Sequence, residues 1–295
     1  MTRMPALATI CIALLVCIVG CAPPRPDQPI IGAKNFTEQV LLGELLAQHI
    51  EARTGLKVDR RFYLAGSYIC QQALVAGRID GYVEYTGTAL TAILKQPVDK
   101  DRERVLATVQ RLYRQRYGVD VGNSVGFENT FAMIVRGDDA ERLHVATLSQ
   151  AAAVAPQWKL GVGYEFEERP DGLRGLEATY GLKFNGSPRT MDLGLLYRAI
   201  TQRQVDIIAG NSTDGPIQPL DLTVLTDDLH YFPPYDAVPL FREEAYRRWP
   251  QMRAAVAELA GKVDAQEMQA MNEAVDGQHR DPAAVVREFR TRKGL

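Results

Sequence analysis

The chain has 295 residues, of which 46% are hydrophobic and 24% are charged, and its formal net charge is −2. This length is enough for two globular domains, and the composition is ordinary for a globular protein. The nearly balanced charge and the lack of a basic stripe argue against a nucleic-acid-binding protein.

The first 21 residues have the pattern of an export signal. Arg3 supplies a short positive region, and the apolar run from Ala6 to Val19 is short for a bilayer span. Small residues then precede Cys21 in a pattern that resembles a bacterial lipobox, so we expect Cys21 to be lipidated and to become the mature N-terminus. An uncleaved anchor and a plain signal peptide are the alternatives. Residues 22–29 are rich in proline and are expected to form a tether.

Strand-like and helical segments alternate in the first part of the mature chain. A short strand at the start is followed by a helix that ends near Arg53, with Asn35 and Glu38 spaced as a capping box. The next segments are predicted as a strand over 57–64, a helix over 68–76 and a strand over 79–83. This alternation predicts βαβ units on a parallel sheet, in which ligands lie at the carboxyl ends of strands. Because Lys34 and Thr88 each come just after a strand, we expect them to share one rim.

The segment from Val83 to Thr88 is a candidate binding site. Gly87 would allow a bend with a positive φ, and Thr88 would cap the next helix, so that a small anion could lie at the helix N-terminus. Tyr85 offers an aromatic face nearby, which suits a cationic group. These features favour a zwitterionic ligand with an apolar cationic end. A packed aromatic residue and an ordinary helix cap are the alternative interpretation.

Residues 199–206 repeat the pattern of residues 73–80. Both segments are predicted as a helix, a turn and a strand with an aspartate, Asp80 or Asp206, and both lead into a loop rich in serine and threonine. The repeat indicates one structural unit used once in each of two lobes, although it is too short to establish a duplication. Only helices are predicted after residue 240, and we expect them to pack on the first lobe.

Six motifs carry a resemblance to a known family. They are GAKNFTEQ (32–39), YVEYTGT (82–88), ERPDG (168–172), MDLGL (191–195), STDG (212–215) and FPPY (232–235). In this order they resemble the substrate-binding proteins of ABC importers for osmoprotectants such as glycine betaine, carnitine and choline. The resemblance covers about residue 30 to the C-terminus.

The resemblance implies an α/β fold of the two-lobed, periplasmic-binding-protein-like type II class. Each lobe would be a mixed sheet flanked by helices, and the ligand cleft would lie between the lobes. Residues 30–131 and 236–295 would form lobe I and residues 132–235 lobe II, after a signal peptide at 1–21 and a tether at 22–29.

The resemblance also implies the residues of the ligand site. Lys34, Thr88 and Arg169 match positions that hold the ligand carboxylate. Tyr85, Phe131 and Tyr235 match aromatic walls around the trimethylammonium group. The remaining expected site residues are Gln39, in the first motif, Asn129, which forms a pair with Phe131, and Asn211.

Two of these positions depart from the family pattern. Phe131 keeps an aromatic face but lacks the hydroxyl of the usual tyrosine, and Asn211 stands where the family usually has a cage tyrosine. Since a desolvated cation–π contact contributes about 0.5–2 kcal/mol, the loss of one wall would weaken binding by about tenfold or more. Tyr82, Tyr197 and Tyr231 are candidates to replace it. The hypothesis is a protein that binds betaine-like zwitterions weakly, or one retuned to a more polar ligand.

The implied function is the substrate-binding component of an ABC importer for quaternary-ammonium osmoprotectants. It would capture its ligand by lobe closure and deliver it to a permease in the cytoplasmic membrane. We expect an exported monomer, lipid-anchored on a periplasmic or extracytoplasmic face, with no cofactor, metal or nucleic acid. The alternatives are a binding lipoprotein for a different small polar ligand, and a sensory or structural role without transport.

An enzyme is the main competing class, and the sequence argues against it. The four histidines lack metal-ligand spacing, and no nucleophile elbow or Walker sequence occurs. Three carboxylates lie close together, at Glu167, Glu168 and Asp171, and are expected to form a solvated loop.

Overall fold

The computed structural model describes residues 27–295, and the strands of this range form two separate five-stranded sheets. The expected signal peptide, Cys21 and residues 22–26 of the expected tether lie outside the described residues. The strands are β1 (Ile30–Gly32), β2 (Asp59–Arg61), β3 (Gly81–Tyr85), β4 (Val119–Val121), β5 (Phe131–Arg136), β6 (Leu160–Val162), β7 (Arg189–Thr190), β8 (Ile207–Asn211), β9 (Leu222–Val224) and β10 (Ala237–Arg242).

Helices pack against both faces of each sheet. They are α1 (Thr37–Thr54), α2 (Ser67–Val75), α3 (Thr86–Thr88), α4 (Arg102–Tyr117), α5 (Gly137–Leu143), α6 (Leu148–Val154), α7 (Tyr164–Glu168), α8 (Leu173–Tyr180), α9 (Leu193–Thr201), α10 (Glu243–Arg248), α11 (Gln251–Ala257), α12 (Ala265–Asp276) and α13 (Pro282–Lys293). A π-helical segment, Ala89–Ile93, continues α3, and a short 3-10 turn, Ala155–Gln157, follows α6.

The two sheets have the same topology. The first has the order β2-β1-β3-β10-β4, and the second has the order β7-β6-β8-β5-β9. In each sheet the second and third strands are parallel, and the fourth strand is antiparallel to both of its neighbours. The predicted parallel βαβ units are therefore present, but each belongs to a mixed sheet because one strand, β10 in the first sheet and β5 in the second, is antiparallel to its neighbours.

Apolar side chains cover both faces of each sheet, as expected for strands packed between helices. In β1, Ile31 packs with α1 on one face, whereas Ile30 packs with residues of α2 and α4 on the other. In β5, Met133 and Ile134 likewise belong to clusters on opposite faces. The two lobes are defined here by these two sheets and the helices packed on them.

Helix α1 is the central helix of the first lobe. Its apolar residues are buried, and it ends at Gly55, whose φ of 73° is the left-handed conformation that glycine adopts most readily. The predicted capping box is wrong: Phe36 precedes the helix, and no side chain caps it. The Glu38 side chain points into the protein instead. The C-terminal helices α11, α12 and α13 pack on α1, which confirms the prediction for the end of the chain.

The chain crosses between the lobes twice, and the crossings run side by side. Glu128 and Asp236 form an antiparallel bridge between them. The first residue of β5, Phe131, pairs with Asn211 in the second sheet. Both crossings therefore lie next to the ends of β5 and β8. Among residues 27–295, no helix is both long and apolar enough to cross a membrane.

Candidate ligand-binding site

A cavity of about 320 Å³ lies between the two lobes. Its volume is in the range of small-molecule sites. Eight of the nine residues that the sequence predicts for the site line this cavity, and the ninth, Gln39, does not. The eight are Lys34, Tyr85, Thr88, Asn129, Phe131, Arg169, Asn211 and Tyr235. The cavity thus combines residues of both lobes and both crossings.

Lys34 and Thr88 line the same cavity because they follow the parallel strands β1 and β3, as predicted. The prediction of a Thr88 cap is wrong, since Thr88 has helical backbone angles and its side chain makes no capping hydrogen bond. Gly87 is also not among the glycines with positive φ. A Cβ at Gly87 would lie 2.7 Å from ring atoms of Tyr235. Glycine at this position therefore allows Tyr235 to approach closely.

Lys34 is a buried cation that already has an anionic partner. Its Nζ donates to Oε1 of Glu84, and both side chains are buried. Glu84 also accepts the backbone N–H of Tyr85 at 2.8 Å and the hydroxyl of Tyr82 at 3.2 Å. The Lys34 ammonium lies 4.7 Å from the centroid of the Tyr85 ring. The charge of Lys34 is thus compensated within the first lobe, which reduces the cost of its burial.

Tyr85 presents its ring to the cavity while its hydroxyl is held at the back. The hydroxyl donates to Oε1 of Glu38 at 2.6 Å and accepts from Nε2 of Gln39 at 3.1 Å. Burial raises the pKa of Tyr85 well above its ordinary value, so the phenol is neutral. Gln39 therefore positions Tyr85 from behind and is not itself a lining residue.

Glu38 accepts four hydrogen bonds, one of which comes from Thr213 in the second lobe. Its Oε1 accepts from Tyr85 and from Nδ2 of Asn129, the latter at 2.9 Å. Its Oε2 accepts from the hydroxyl of Thr213 at 2.5 Å and from Nδ2 of Asn272 at 3.1 Å. Burial nevertheless raises the pKa of Glu38, although each of these donors lowers it. Sequence analysis missed this role because the local spacing of Glu38 suggested a helix cap.

Arg169 is the second buried cation, and it also has an anionic partner. Its Nε and Nη2 donate to the two carboxylate oxygens of Asp171 at 3.0 and 2.5 Å, a bidentate arrangement. Burial alone would raise the pKa of Asp171, but the charge and hydrogen bonds of Arg169 lower it. The expectation that Asp171 lies in a solvated loop is wrong, since Asp171 is fully buried and also accepts the Tyr235 hydroxyl at 2.6 Å.

Aromatic rings form one side of the cavity. Phe131 packs edge-to-face against Tyr235, with 5.8 Å between the centroids, and against Phe166, with 4.8 Å. The guanidinium carbon of Arg169 lies 4.7 Å from the Phe131 centroid. Phe166 and Phe36 also line the cavity, and sequence analysis did not identify either. Phe166 lies in the segment just before Arg169, and the acidic residues on either side of it favoured the prediction of a charged loop over that of a site residue.

Asn211 is the last residue of β8 and lies directly opposite Phe131. Its backbone N–H donates to Asp214 at 2.9 Å, and its Nδ2 lies 3.2 Å from both carboxylate oxygens of Asp214. Asp214 also accepts the hydroxyl of Tyr197 at 2.5 Å. Burial raises the pKa of Asp214 to about 6. The amide nitrogen of Asn211 is therefore tied to its own loop.

The three tyrosines that could replace the missing aromatic wall are elsewhere. Tyr82 donates to Glu84, Tyr197 donates to Asp214, and Tyr231 donates to the carbonyl of Gly172 at 3.0 Å. None of the three is among the residues that line the cavity. None of these tyrosines therefore supplies the missing aromatic wall, and Asn211 occupies that position in the cavity.

The lobes also touch across the cavity through a charged group. The backbone N–H of Ser67, at the start of α2, donates to Oε1 of Glu165 in the second lobe at 2.5 Å. Both residues line the cavity. The cleft is therefore narrow on this side, and the carboxylate of Glu165 lies at the N-terminus of a helix, where a negative charge is favoured.

Two lobes of the same topology, with a small cavity between them and two polypeptide crossings within residues 27–295, define the class of two-lobed substrate-binding proteins. Comparison with known proteins identifies the family. Residues 30–292 match the family model described as the substrate binding domain of an ABC-type glycine betaine transport system.

Individual proteins agree with this match. The carnitine transport binding protein OpuCC of Listeria monocytogenes is 34% identical over 272 residues, covering 92% of this chain and 88% of the relative. A glycine-betaine-binding protein of Pseudomonas aeruginosa is 32% identical over 271 residues, covering 88% and 86%. A crystal structure of a glycine betaine/carnitine/choline ABC transporter protein has a TM-score of 0.75 and 32% identity, covering 90% and 99%.

The chain therefore belongs to the family of substrate-binding domains of ABC-type glycine betaine transport systems. It is an extracytoplasmic substrate-binding component of an importer for quaternary-ammonium osmoprotectants, and the family is one of transport proteins, not enzymes. The expected type II fold is confirmed by the two mixed sheets and by the structural match.

Proposed function

We propose that the cavity binds glycine betaine or a closely related zwitterion. Lys34, Thr88 and Arg169 would face the ligand carboxylate, and Tyr85, Phe131 and Tyr235 would surround the trimethylammonium group. The observation that carries this proposal is that two buried cations and the rings of these three residues line one cavity of about 320 Å³. Aromatic faces attract a quaternary ammonium group, and a desolvated cation–π contact contributes about 2 kcal/mol.

The affinity for glycine betaine is expected to be low. Asn211 contributes an amide where a further aromatic ring would complete the cage, and the amide is held by Asp214. Both cations already have carboxylate partners, Glu84 and Asp171, so that a ligand carboxylate would compete with them for the same donors. These two features favour a weak site for a simple betaine or a site retuned to a more polar ligand.

Lobe closure would be the mechanism of capture. Contacts such as Ser67 with Glu165 and Glu38 with Thr213 join the lobes around the cavity. A ligand that touches both lobes stabilises the closed state and so shifts the equilibrium towards it. The closed protein would then deliver its ligand to the membrane permease. A lipid on Cys21 would keep a monomer at the membrane, with residues 30–131 and 236–295 as one lobe and 132–235 as the other.

Calorimetric titration with glycine betaine tests this function. The matched control ligand is 3,3-dimethylbutanoate, which has the same shape and carboxylate but a neutral carbon in place of nitrogen. A micromolar dissociation constant for glycine betaine, which is a binding free energy of about −8 kcal/mol, would support a working betaine site if 3,3-dimethylbutanoate does not bind in that range. Millimolar binding would support a changed ligand. The absence of binding by every betaine tested would favour a sensory or structural role.

A further inference from the structure

Asn211 places a polar side chain on the wall of the ligand cavity, beside an aromatic ring. It lies directly opposite Phe131 in the pairing of β5 with β8. Directly opposed residues of antiparallel strands project from the same face of the sheet, with their Cβ atoms about 5 Å apart. Ala209, two residues earlier in β8, also lines the cavity, in agreement with the alternation of side chains along a strand. The side chain of Asn211 is therefore directed at the cavity, within reach of a group that contacts Phe131.

The amide of Asn211 is oriented by Asp214. Its Nδ2 lies 3.2 Å from both carboxylate oxygens of Asp214, and the backbone N–H of Asn211 donates to Oδ2 of the same carboxylate at 2.9 Å. The pKa of Asp214 is raised to about 6, so at pH 8 this carboxylate is ionised and can only accept hydrogen bonds. It therefore holds the nitrogen of the amide, and the amide oxygen Oδ1 points away from it.

The amide oxygen of Asn211 is an acceptor without a protein donor. No hydrogen bond reaches Oδ1 from residues 27–295. Oδ1 is also not enclosed by protein atoms, in contrast to Oδ1 of Asn272, which is buried and unpartnered. An acceptor on the wall of a cavity loses contact with water when a ligand fills the cavity, and this loss is costly unless the ligand supplies a donor.

The carboxylates and amides elsewhere in the lining of the cavity are engaged or exposed. Oε1 of Glu165 accepts a backbone N–H of α2 at 2.5 Å, and Oδ1 of Asn129 lies 3.5 Å from a serine hydroxyl. Asn35 and Asp192 are exposed to solvent, whereas Asn211 is half-buried. The free acceptor that lies beside the aromatic rings is thus that of Asn211.

We infer that the ligand carries one N–H on its cationic nitrogen, which donates to Oδ1 of Asn211, while its methyl groups contact the rings of Tyr85, Phe131 and Tyr235. The chemical class is a dimethylated amino acid, of which N,N-dimethylglycine is the simplest. Its tertiary amine is protonated at neutral pH and then carries a single N–H. The inference rests on the proposed function, because the carboxylate and the methyl groups would occupy the cavity as described above. It adds that Asn211 selects the number of methyl groups.

Replacement of one methyl group of glycine betaine by a hydrogen has two opposing effects. The loss of a buried methyl group weakens binding by about fourfold. The new N–H forms a hydrogen bond from a charged donor, which strengthens binding by about tenfold or more. The hydrogen bond is the larger effect, so dimethylglycine should bind more tightly than glycine betaine. In sarcosine, the monomethyl amino acid, a second N–H would replace a methyl group against an aromatic ring and should weaken binding again.

Calorimetric titration at pH 8 with glycine betaine, N,N-dimethylglycine, sarcosine and glycine tests this inference. The four ligands share the carboxylate and differ only in the number of methyl groups on the nitrogen, from three to none. We expect the affinity to be highest with two methyl groups, and dimethylglycine to bind at least threefold more tightly than either glycine betaine or sarcosine. This measurement uses the wild-type protein alone.

The variant Asn211→Leu assigns the preference to the amide oxygen. Leucine has no acceptor, so the variant should bind dimethylglycine about tenfold more weakly, with little change for glycine betaine, which then becomes the tighter ligand. Asn185→Leu is the matched control, because Asn185 is exposed in the second lobe and does not line the cavity. It should leave both affinities unchanged. Thermal unfolding identifies a variant that fails to fold, in which case the wild-type series decides alone.

The outcomes separate the inference from the proposed function. If glycine betaine binds at least as tightly as dimethylglycine, the inference is wrong and the proposed function stands. A preference for dimethylglycine that persists in folded Asn211→Leu would also overturn it, since another acceptor would then hold the N–H. Tighter binding of sarcosine or glycine than of dimethylglycine would overturn it too, because the rings would then not recognise methyl groups. If none of the four ligands binds, the proposed function fails and the inference fails with it.

Discussion

The strands β3 and β8 occupy the same position in their two sheets, and each ends at the ligand cavity. Both have five residues, and each lies between a parallel neighbour and an antiparallel one. The last residue of β3 is Tyr85, whereas the last residue of β8 is Asn211. The same backbone therefore delivers an aromatic ring in one lobe and an amide in the other.

The equivalence extends to the residue before each strand. Asp80 accepts the backbone N–H of Ile30 at 2.9 Å, and Asp206 accepts that of Lys159 at 2.8 Å. An arginine at the end of the antiparallel neighbour lies close to each aspartate, Arg242 at 3.8 Å and Arg136 at 3.1 Å. The repeat seen in the sequence is thus a repeat in structure.

The two strand ends differ in what supports them. Tyr85 is held by Glu38 and Gln39, so its ring is fixed and its hydroxyl is satisfied. Asn211 is held by the carboxylate of Asp214. The scaffold therefore determines where Tyr85 and Asn211 lie. The side chain at each position, and the residues that hold it, determine whether that wall of the cavity attracts a quaternary ammonium group or a hydrogen-bond donor.

The largest expected effect concerns the scaffold. Asp80→Ala should lower the free energy of unfolding by about 3 kcal/mol, because it removes a buried charge beside Arg242. Asp206→Ala should cost about 1 kcal/mol, since the Asp206 side chain is 27% exposed, against 1% for Asp80, and Arg136 keeps its partner Asp139. Urea unfolding measures both. Equal losses at the two positions would contradict the difference in burial that we assign to them.

The next effect concerns the aromatic strand end. Tyr85→Ala should weaken glycine betaine binding by about 30-fold, or about 2 kcal/mol, through loss of a cation–π contact. Tyr85→Phe is the matched control, because it keeps the ring and removes the hydroxyl that Glu38 accepts, and it should cost less than tenfold. Calorimetry measures both variants. A larger loss for phenylalanine than for alanine would exclude the cage role of the ring.

A smaller effect is expected when the second strand end is made like the first. Asn211→Tyr should tighten glycine betaine binding by up to about tenfold, because the added ring completes the cage. Asn211→Leu adds apolar volume without an aromatic face and should give little change. Competition titration measures the difference. An unchanged affinity for the tyrosine variant would mean that this position does not face the trimethylammonium group.

The smallest effect concerns the support of Asn211. The folded pKa of Asp214 is raised to about 6 from an ordinary 3.8, so the folded protein binds this proton more tightly than the unfolded chain. Its contribution to stability is therefore present at low pH and is lost as the pH rises through about 6.

Relative to Asp214→Asn, the wild-type protein should gain about 1 kcal/mol of unfolding free energy between pH 7 and pH 5. Urea unfolding at the two pH values measures this gain. The variant is the necessary reference, because the raised pKa values of Glu38 and Asp276 also contribute to the pH dependence of the wild-type protein. A difference that is constant with pH would show that Asp214 is not protonated in this range.

The sequence by itself determined the family, the two-lobed fold and most of the lining of the cavity. Local signals were sufficient for these, because Lys34 and Tyr85 lie in motifs next to strand ends, and the repeat around Asp80 and Asp206 reflects hydrogen bonds within one unit. Such features depend on neighbours in the chain or on motifs read in order, both of which a single sequence contains.

Only the tertiary structure decided which charges are paired and which are not. Asp171 was expected in solvent but is buried beside Arg169, and Glu38 was expected to cap a helix but accepts from Thr213 and Asn272, more than 170 residues away. Burial and long-range partners arise when the lobes assemble, and the cost of burying a charge then selects its partner. For the same reason, the ligand cavity exists only where the two lobes meet.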